Sequence, residues 1–261
     1  GRPLDFAKVA GTRQTLDLWS GTLTSRFTYD GQPVEVVTRV HPTLDMVMVE
    51  IVSPLVSTRG LGVQVRYPSV APAINPDPTS FDASGAQSLT VVAQDAGDVR
   101  IRRTLDDTRY YSGITASGEI EQTGADAFRA IAAGRDRLTV MVRFDRQDRA
   151  PATPAYSAGV QATAAHWNGF WTQGGAVDFS GSTDPRASEL ERRVVLSQYL
   201  SALNGAGELP PQEEGLFSNS WYGKFHLEMH PWHAGWQAMW GHADMLERSL
   251  PWYVGHLDQA R

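Results

Sequence analysis

The stretch Thr22-Leu-Thr-Ser-Arg-Phe-Thr-Tyr-Asp-Gly-Gln-Pro-Val-Glu-Val-Val-Thr-Arg-Val40 reads as two strands and the turn that joins them. Leu23, Phe27 and Tyr29 alternate with Thr22, Thr24, Arg26 and Thr28, the period of a strand with one covered face. Asp30-Gly31 supplies two residues that tolerate the positive φ of a tight hairpin turn, and Val34, Val36 and Val40 then resume the alternation. On either side the pattern persists. Leu44–Val52 is nearly all apolar and suits a strand covered on both faces, while Leu61, Val63, Val65 and Tyr67 alternate with Gly62, Gln64 and Arg66. Leu89–Ala93, Val99–Thr104, Arg109–Ile114 and Leu138–Phe144 are further strand candidates, separated by Gly-, Pro-, Asp- and Ser-rich segments such as Pro68–Ser84. About eight short strands with frequent turns predict an antiparallel β-sandwich.

After the Pro/Ala-rich Ala150–Ser157 comes a stretch with His166, Trp167, Phe170 and Trp171, which reads as irregular. The period then changes from strand to helix. Asp184-Pro185 offers an N-cap followed by Pro in the first turn, and Ser188-x-x-Glu191 offers a capping box. Leu190, Val194, Leu196, Tyr199, Leu200 and Leu203 recur at helical spacing, up to Gly205 and Gly207. A second helix is predicted over Phe225–Trp240, bent near Pro231 and ended by Gly241, and a third from Ala243 to Leu257. The expected organisation is a β-sandwich domain over residues 1–183 and a helical domain beginning at 184.

Composition narrows the function. The 261 residues include no cysteine, which removes disulfides, thiolate metal sites and cysteine nucleophiles. With 29 Asp+Glu against 23 Lys+Arg, a net charge of −6, nothing favours a nucleic-acid partner. No apolar run approaches the roughly 18 residues of a membrane span. No signal peptide is visible, and both a cytoplasmic and a periplasmic or secreted location fit the sequence. Gly-x-Ser-x-Gly, Walker and dinucleotide fingerprints are missing from the sequence, so no nucleotide or other cofactor is expected.

Five of the eight tryptophans and five of the seven histidines fall between Trp221 and His256. Within that stretch, Asn219-Ser-Trp-Tyr-Gly-Lys-Phe-His-Leu-Glu-Met-His-Pro-Trp-His233 holds the chemistry-capable groups. His226 and His230 have the four-residue spacing of zinc-binding histidines, but the acid stands midway between them. Two residues along a helix rotate about 200°, so Glu228 would face away from both, and no metal is expected. A sugar site fits better. Sugars have apolar faces ringed by hydroxyls; Trp221, Tyr222 and Trp232 can supply platforms, while Lys224, His226, Glu228, His230 and His233 can grip hydroxyls. Trp236 and Trp240 continue the four-residue spacing from Trp232 and read as core. Glu213-Glu214 are adjacent acids in a nearby loop, poorly placed to converge on one substrate.

The blocks Asp184-Pro-Arg-Ala-Ser-Glu-Leu-Glu-Arg-Arg-Val-Val-Leu-Ser-Gln-Tyr-Leu200 and Trp221-Tyr-Gly-Lys-Phe-His-Leu-Glu-Met-His-Pro-Trp-His233 resemble glycoside hydrolase family 65, with Gln14–Phe27 as a weaker block. The branch they resemble is the α-glucosidase type that includes protein-glucosylgalactosylhydroxylysine glucosidases. The resemblance implies an antiparallel β-supersandwich followed by an (α/α)6 barrel, of which 184–261 would form the first helices. It also implies that Gly223-Lys-Phe-His-Leu-Glu228 lines the glucosyl subsite, with Glu228 gripping hydroxyls and Leu227 standing where the family usually has Trp. That departure speaks against a disaccharide phosphorylase.

Family members invert the anomeric centre with a glutamate acid, and hydrolases add a glutamate base; the resemblance puts both on later barrel helices. The expectation is therefore an incomplete chain of a glycoside hydrolase acting on α-linked glucosides or oligosaccharides, its catalytic pair supplied by the remainder of the same enzyme. A non-catalytic carbohydrate-binding or structural module is the alternative from a different class.

Overall fold

The computed structural model describes residues 4–69, 81, 87–148, 153–205, 207–213 and 224–261. They fall into two compact units, one reaching to Asn168 and the other running from Gly169 to Arg261.

The first unit is an antiparallel β-sandwich. Its large sheet has eight strands: β1 (Val9–Asp17), β2 (Thr22–Tyr29), β3 (Gln32–Val40), β4 (Met46–Val52), β6 (Gln87–Gln94), β7 (Asp98–Leu105), β8 (Thr108–Ala116) and β11 (Arg137–Asp145). They are ordered β1-β2-β3-β4-β11-β8-β7-β6. The second sheet has three, β5 (Val63–Arg66), β9 (Glu119–Gly124) and β10 (Ala127–Ile131), ordered β5-β10-β9. The hairpin expected at Asp30-Gly31 forms as read: Tyr29 pairs with Gln32, and the two turn residues have φ of 52° and 75°. Two positive φ values in a two-residue loop match the right-handed twist of the flanking strands.

Val34, Ile51, Ile101, Ile114, Leu138 and Val140 from the large sheet meet Ile120, Phe128 and Ala130 from the small one in a shared core. Phe128 is fully buried, with its ring edge-on to Tyr67. β4 is covered on both faces, as its apolar run requires, because Met46 and Met48 pack with Met141, Leu44 and Tyr156 on the opposite side.

Three strands carry no clear signal in the sequence. β1 is an exposed edge of Thr, Arg and Gln, broken by a bulge at Gly11, whose φ is 61°. β9 buries only Ile120, and β10 is a five-residue strand almost wholly buried.

The segment expected to be irregular is α2 (Tyr156–Gln173), the second helix after a single turn, α1 (Pro54–Ser57). Gly159, Thr163, Trp167 and Phe170 form its buried stripe, a helical period hidden from the sequence because two of its members are small. The closeness of Gly159 to Met48 Sδ and the hydrogen bond from Thr163 Oγ1 to the Val40 carbonyl (2.9 Å) show why small residues are needed there.

In the second unit, α3 (Ala187–Gly205) begins two residues after Pro185. Asp184 still caps this start, its side chain accepting hydrogen bonds from the backbone and side chain of Arg186. Glu191 accepts from Phe179 N at 2.8 Å rather than closing a capping box. The buried face is also rotated from the expected one: Gln198, Tyr199, Ala202 and Gly205 are buried, while Leu190, Leu200 and Leu203 are exposed. The predicted second helix is α4 (His230–Met239), preceded by a 3-10 turn at Leu227–Met229. Pro231 starts this helix instead of bending it, since Pro is accommodated in a first turn. The third divides at Leu250-Pro251 into α5 (Ala243–Ser249) and α6 (Pro251–Gly255). The described residues contain no helix long and apolar enough to cross a membrane.

Candidate functional site

The residues proposed to hold a sugar lie at the entry to α4, in the second unit. Trp221 and Tyr222 fall outside the described residues, as does Glu214. The chain is described again from Lys224. The Lys224 carbonyl accepts a hydrogen bond from Glu213 N at 3.2 Å, so these two described positions lie side by side. Two residues on, His226 Nδ1 lies 3.2 Å from Glu213 Oε2. That oxygen is buried and has no hydrogen-bond partner by geometry, so the contact is a close approach of imidazole and carboxylate rather than an aligned hydrogen bond. Glu213 thus lies beside His226, in the neighbourhood of the candidate site where the sequence put it.

Glu228 is exposed on the 3-10 turn, and Leu227 and Trp232 expose 68% and 80% of their surface. An indole this open is a bare apolar face, the feature that a sugar platform needs. His233 is half-buried. His226 lies before the helix and His230 in its first turn, so they do not form the one-face pair of a helical metal motif.

His230 differs from its neighbours. It is buried, its Nδ1 lies 2.7 Å from the Tyr253 hydroxyl and its Nε2 3.0 Å from Ser249 Oγ. Ser249 donates its own proton to the Leu246 carbonyl at 2.9 Å, so its oxygen accepts from Nε2–H and Nδ1 accepts from the Tyr253 hydroxyl. One neutral tautomer satisfies the whole chain of bonds. Burial first, and the nearby His233 second, hold the His230 pKa below its ordinary value. Its role here is to tie the start of α4 to α5 and α6.

Behind this entry stands an aromatic group. Phe225 meets Trp252 edge-on with ring centres 4.6 Å apart, Trp252 stacks on His256 at 4.1 Å, and Tyr253 stacks on His230. Trp252 and Tyr253 were not among the expected site residues; their position in the Trp- and His-rich stretch was the only available signal. Trp236 and Trp240 are half-buried, and Trp236 lies edge-on to His242. His242 stacks flat on Phe170 at 4.2 Å and leaves no room for a side chain at Gly174.

Lys224, His226, Glu228 and the exposed Trp232 follow one another within nine residues at the entry to α4, an amine, an imidazole, a carboxylate and an indole in turn. Such a set can hydrogen-bond several hydroxyls while covering an apolar ring face.

No protein-family model and no curated protein matches the chain. Solved structures do. One described as a kojibiose phosphorylase from the human microbiome aligns with a TM-score of 0.52 at 10% identity, over 77% of this chain and 30% of its own. A family GH92 alpha-mannosidase from Bacteroides thetaiotaomicron aligns with a TM-score of 0.34 at 8% identity, over 77% of this chain and 28% of its own. The chain therefore shares its fold with part of the phosphorylase, and spans under a third of that protein's length.

Proposed function

We propose that this chain is part of an inverting glycoside hydrolase of the family 65 type acting on α-linked glucosides, and that it contributes the sandwich and one wall of the glucosyl-binding subsite. The block Trp221–His233 carries the reading, through its resemblance to the family's subsite. The antiparallel sandwich supports it, being the fold the resemblance implies for the N-terminal part. The helices from α3 onward would open the (α/α)6 barrel. Trp221, Tyr222 and Trp232 would supply platforms, and Lys224, His226, Glu228 and His233 would grip hydroxyls, with His230 holding the start of the helix that carries Trp232 and His233. Inversion needs two carboxyls about 6.5–9.5 Å apart with a water between them, and in this reading both come from another part of the same polypeptide.

The likeness to a kojibiose phosphorylase favours a second reading, in which phosphate replaces the water. Incubation of the full-length enzyme with kojibiose and maltose, with and without phosphate, separates the two. Phosphate-independent release of β-glucose supports the hydrolase, while β-glucose 1-phosphate formed only with phosphate establishes the phosphorylase. Binding without turnover under either condition leaves a non-catalytic module.

Glu228 is exposed, so Glu228→Ala should leave the fold intact. Losing charge-assisted hydrogen bonds worth about 1.5–3 kcal/mol should cut turnover about 10- to 100-fold. Kinetics equal to the unmodified enzyme would overturn the placement of the subsite.

A further inference from the structure

Glu213 and His226 are brought together by the main chain rather than by their own attraction. Glu213 N donates to the Lys224 carbonyl at 3.2 Å, which sets the two chain segments side by side. Phe225 is held by edge-on contacts with Trp252 and Tyr253, and the His226 carbonyl accepts from Met229 N at 3.0 Å where the 3-10 turn begins. The backbone of His226 is therefore anchored before and after the residue. Its conformation is extended, with φ of −106° and ψ of 132°, and its side chain does not cap the turn that follows. The imidazole turns to Glu213 instead, with Nδ1 3.2 Å from Oε2.

The carboxylate gives this contact a direction. Oε2 is buried without a hydrogen-bond partner, a costly state for a carboxylate oxygen, and a carboxylate can only accept. A proton shared between the two groups must then sit on Nδ1. The torsion that turns an imidazole is broad, so a small rotation of the ring aligns Nδ1–H with Oε2. In a neutral imidazole one nitrogen carries the proton and the other accepts, and the bond made by the first decides which is which. With Nδ1–H directed at Glu213, Nε2 becomes the acceptor. The His226 side chain keeps 38% of its surface while its Nδ1 edge faces a buried oxygen, so the open part of the ring lies towards Nε2. His230 has the opposite arrangement, with its ring buried, its proton on Nε2 and both nitrogens engaged by Tyr253 and Ser249.

We infer that Glu213 is a positioning residue, which holds His226 as the Nδ1–H tautomer so that Nε2 accepts a hydrogen bond from a hydroxyl of the bound glucosyl unit. Resting on the glucosyl-subsite reading, this role adds to it a residue that does not itself touch the sugar. Long-range 15N NMR of the full-length protein, labelled at histidine, reads the tautomer at about pH 8.5, roughly two units above the ordinary imidazole pKa. His226 should show Nδ1 protonated and Nε2 bare, the reverse of His230 in the same spectrum, and Glu213→Leu should return it to the tautomer mixture of a histidine in water. In parallel, kcat/KM is measured in phosphate buffer on whichever of kojibiose and maltose the unmodified enzyme consumes. His226→Phe and Glu213→Leu should each lower it about tenfold, and the double variant should fall no further than His226→Phe alone. A proton on Nε2 of His226 in the unmodified protein, an unchanged tautomer in folded Glu213→Leu, or losses that multiply in the double variant would each overturn the pairing and leave the subsite reading in place. Should Glu213→Leu fail to fold, the tautomer of the unmodified protein and the kinetics of His226→Phe decide alone. Consumption of neither sugar by the unmodified enzyme would sink the glucosyl reading, and the role given to Nε2 would fall with it whatever the tautomer.

Discussion

At the scale of single residues, His230 shows how a chemistry-capable group is diverted into architecture. Imidazole in water exchanges between two tautomers, but the bonds to Tyr253 and Ser249 select one and hold it. Tyr253→Phe keeps the ring against His230 and removes only the donor to Nδ1. A buried acceptor without a partner costs about 1–3 kcal/mol, so this variant should unfold at lower urea by that amount. An unchanged midpoint would show that the hydroxyl does not support Nδ1. The crowding of Trp and His residues was visible as composition. The division of labour within it was not, because it depends on Pro251 starting a new helix that returns Tyr253 to the start of α4.

At the scale of elements, local chemistry was legible where it was sufficient. Asp30-Gly31 defines its turn with two residues, and β2 and β3 follow from it. α2 and α3 were harder because burial depends on what lies opposite. The stripe of α2 includes Gly159 and Thr163, chosen for closeness to Met48 and Val40 and not for hydrophobicity. On α3 the leucines drew the expected face, yet Leu200 is 44% exposed and its neighbour Tyr199 is 5% exposed. That contrast gives a paired test. Tyr199→Ala should cost about 3–5 kcal/mol, as for other large aromatic truncations, whereas Leu200→Gln should stay within about 0.5 kcal/mol. Urea unfolding of both variants checks it; equal losses would show that the helix buries a different face.

At the scale of the whole molecule, acid should act unequally on the two units. Burial is the leading cause that lowers the pKa of His41 in the sandwich and of His230 and His242 in the helical unit below the ordinary 6.5. His41 Nδ1 accepts hydrogen bonds from the Thr43 and Leu44 backbones, so protonation at that atom breaks them. In each case the unfolded chain binds a proton that the folded chain refuses. The stability held by the neutral rings is complete above pH 6.5 and falls as the pH drops below it, by at most about 1.4 kcal/mol per pH unit for each ring. The carboxylates with lowered pKa values act at lower pH; Glu189, held by Arg192 and Arg193, titrates at about 2. Between pH 7.5 and 5.5 the helical unit therefore carries two such histidines and the sandwich one. Six of the eight tryptophans lie from Trp171 onward, so indole fluorescence reports chiefly on the helical unit, while far-ultraviolet dichroism of the strands follows the sandwich. On acidification across that interval, the fluorescence midpoint in urea should fall further than the strand midpoint. Equal displacement of the two, or a fluorescence midpoint that stays fixed, would mean that burial of His230 and His242 does not govern the response to acid.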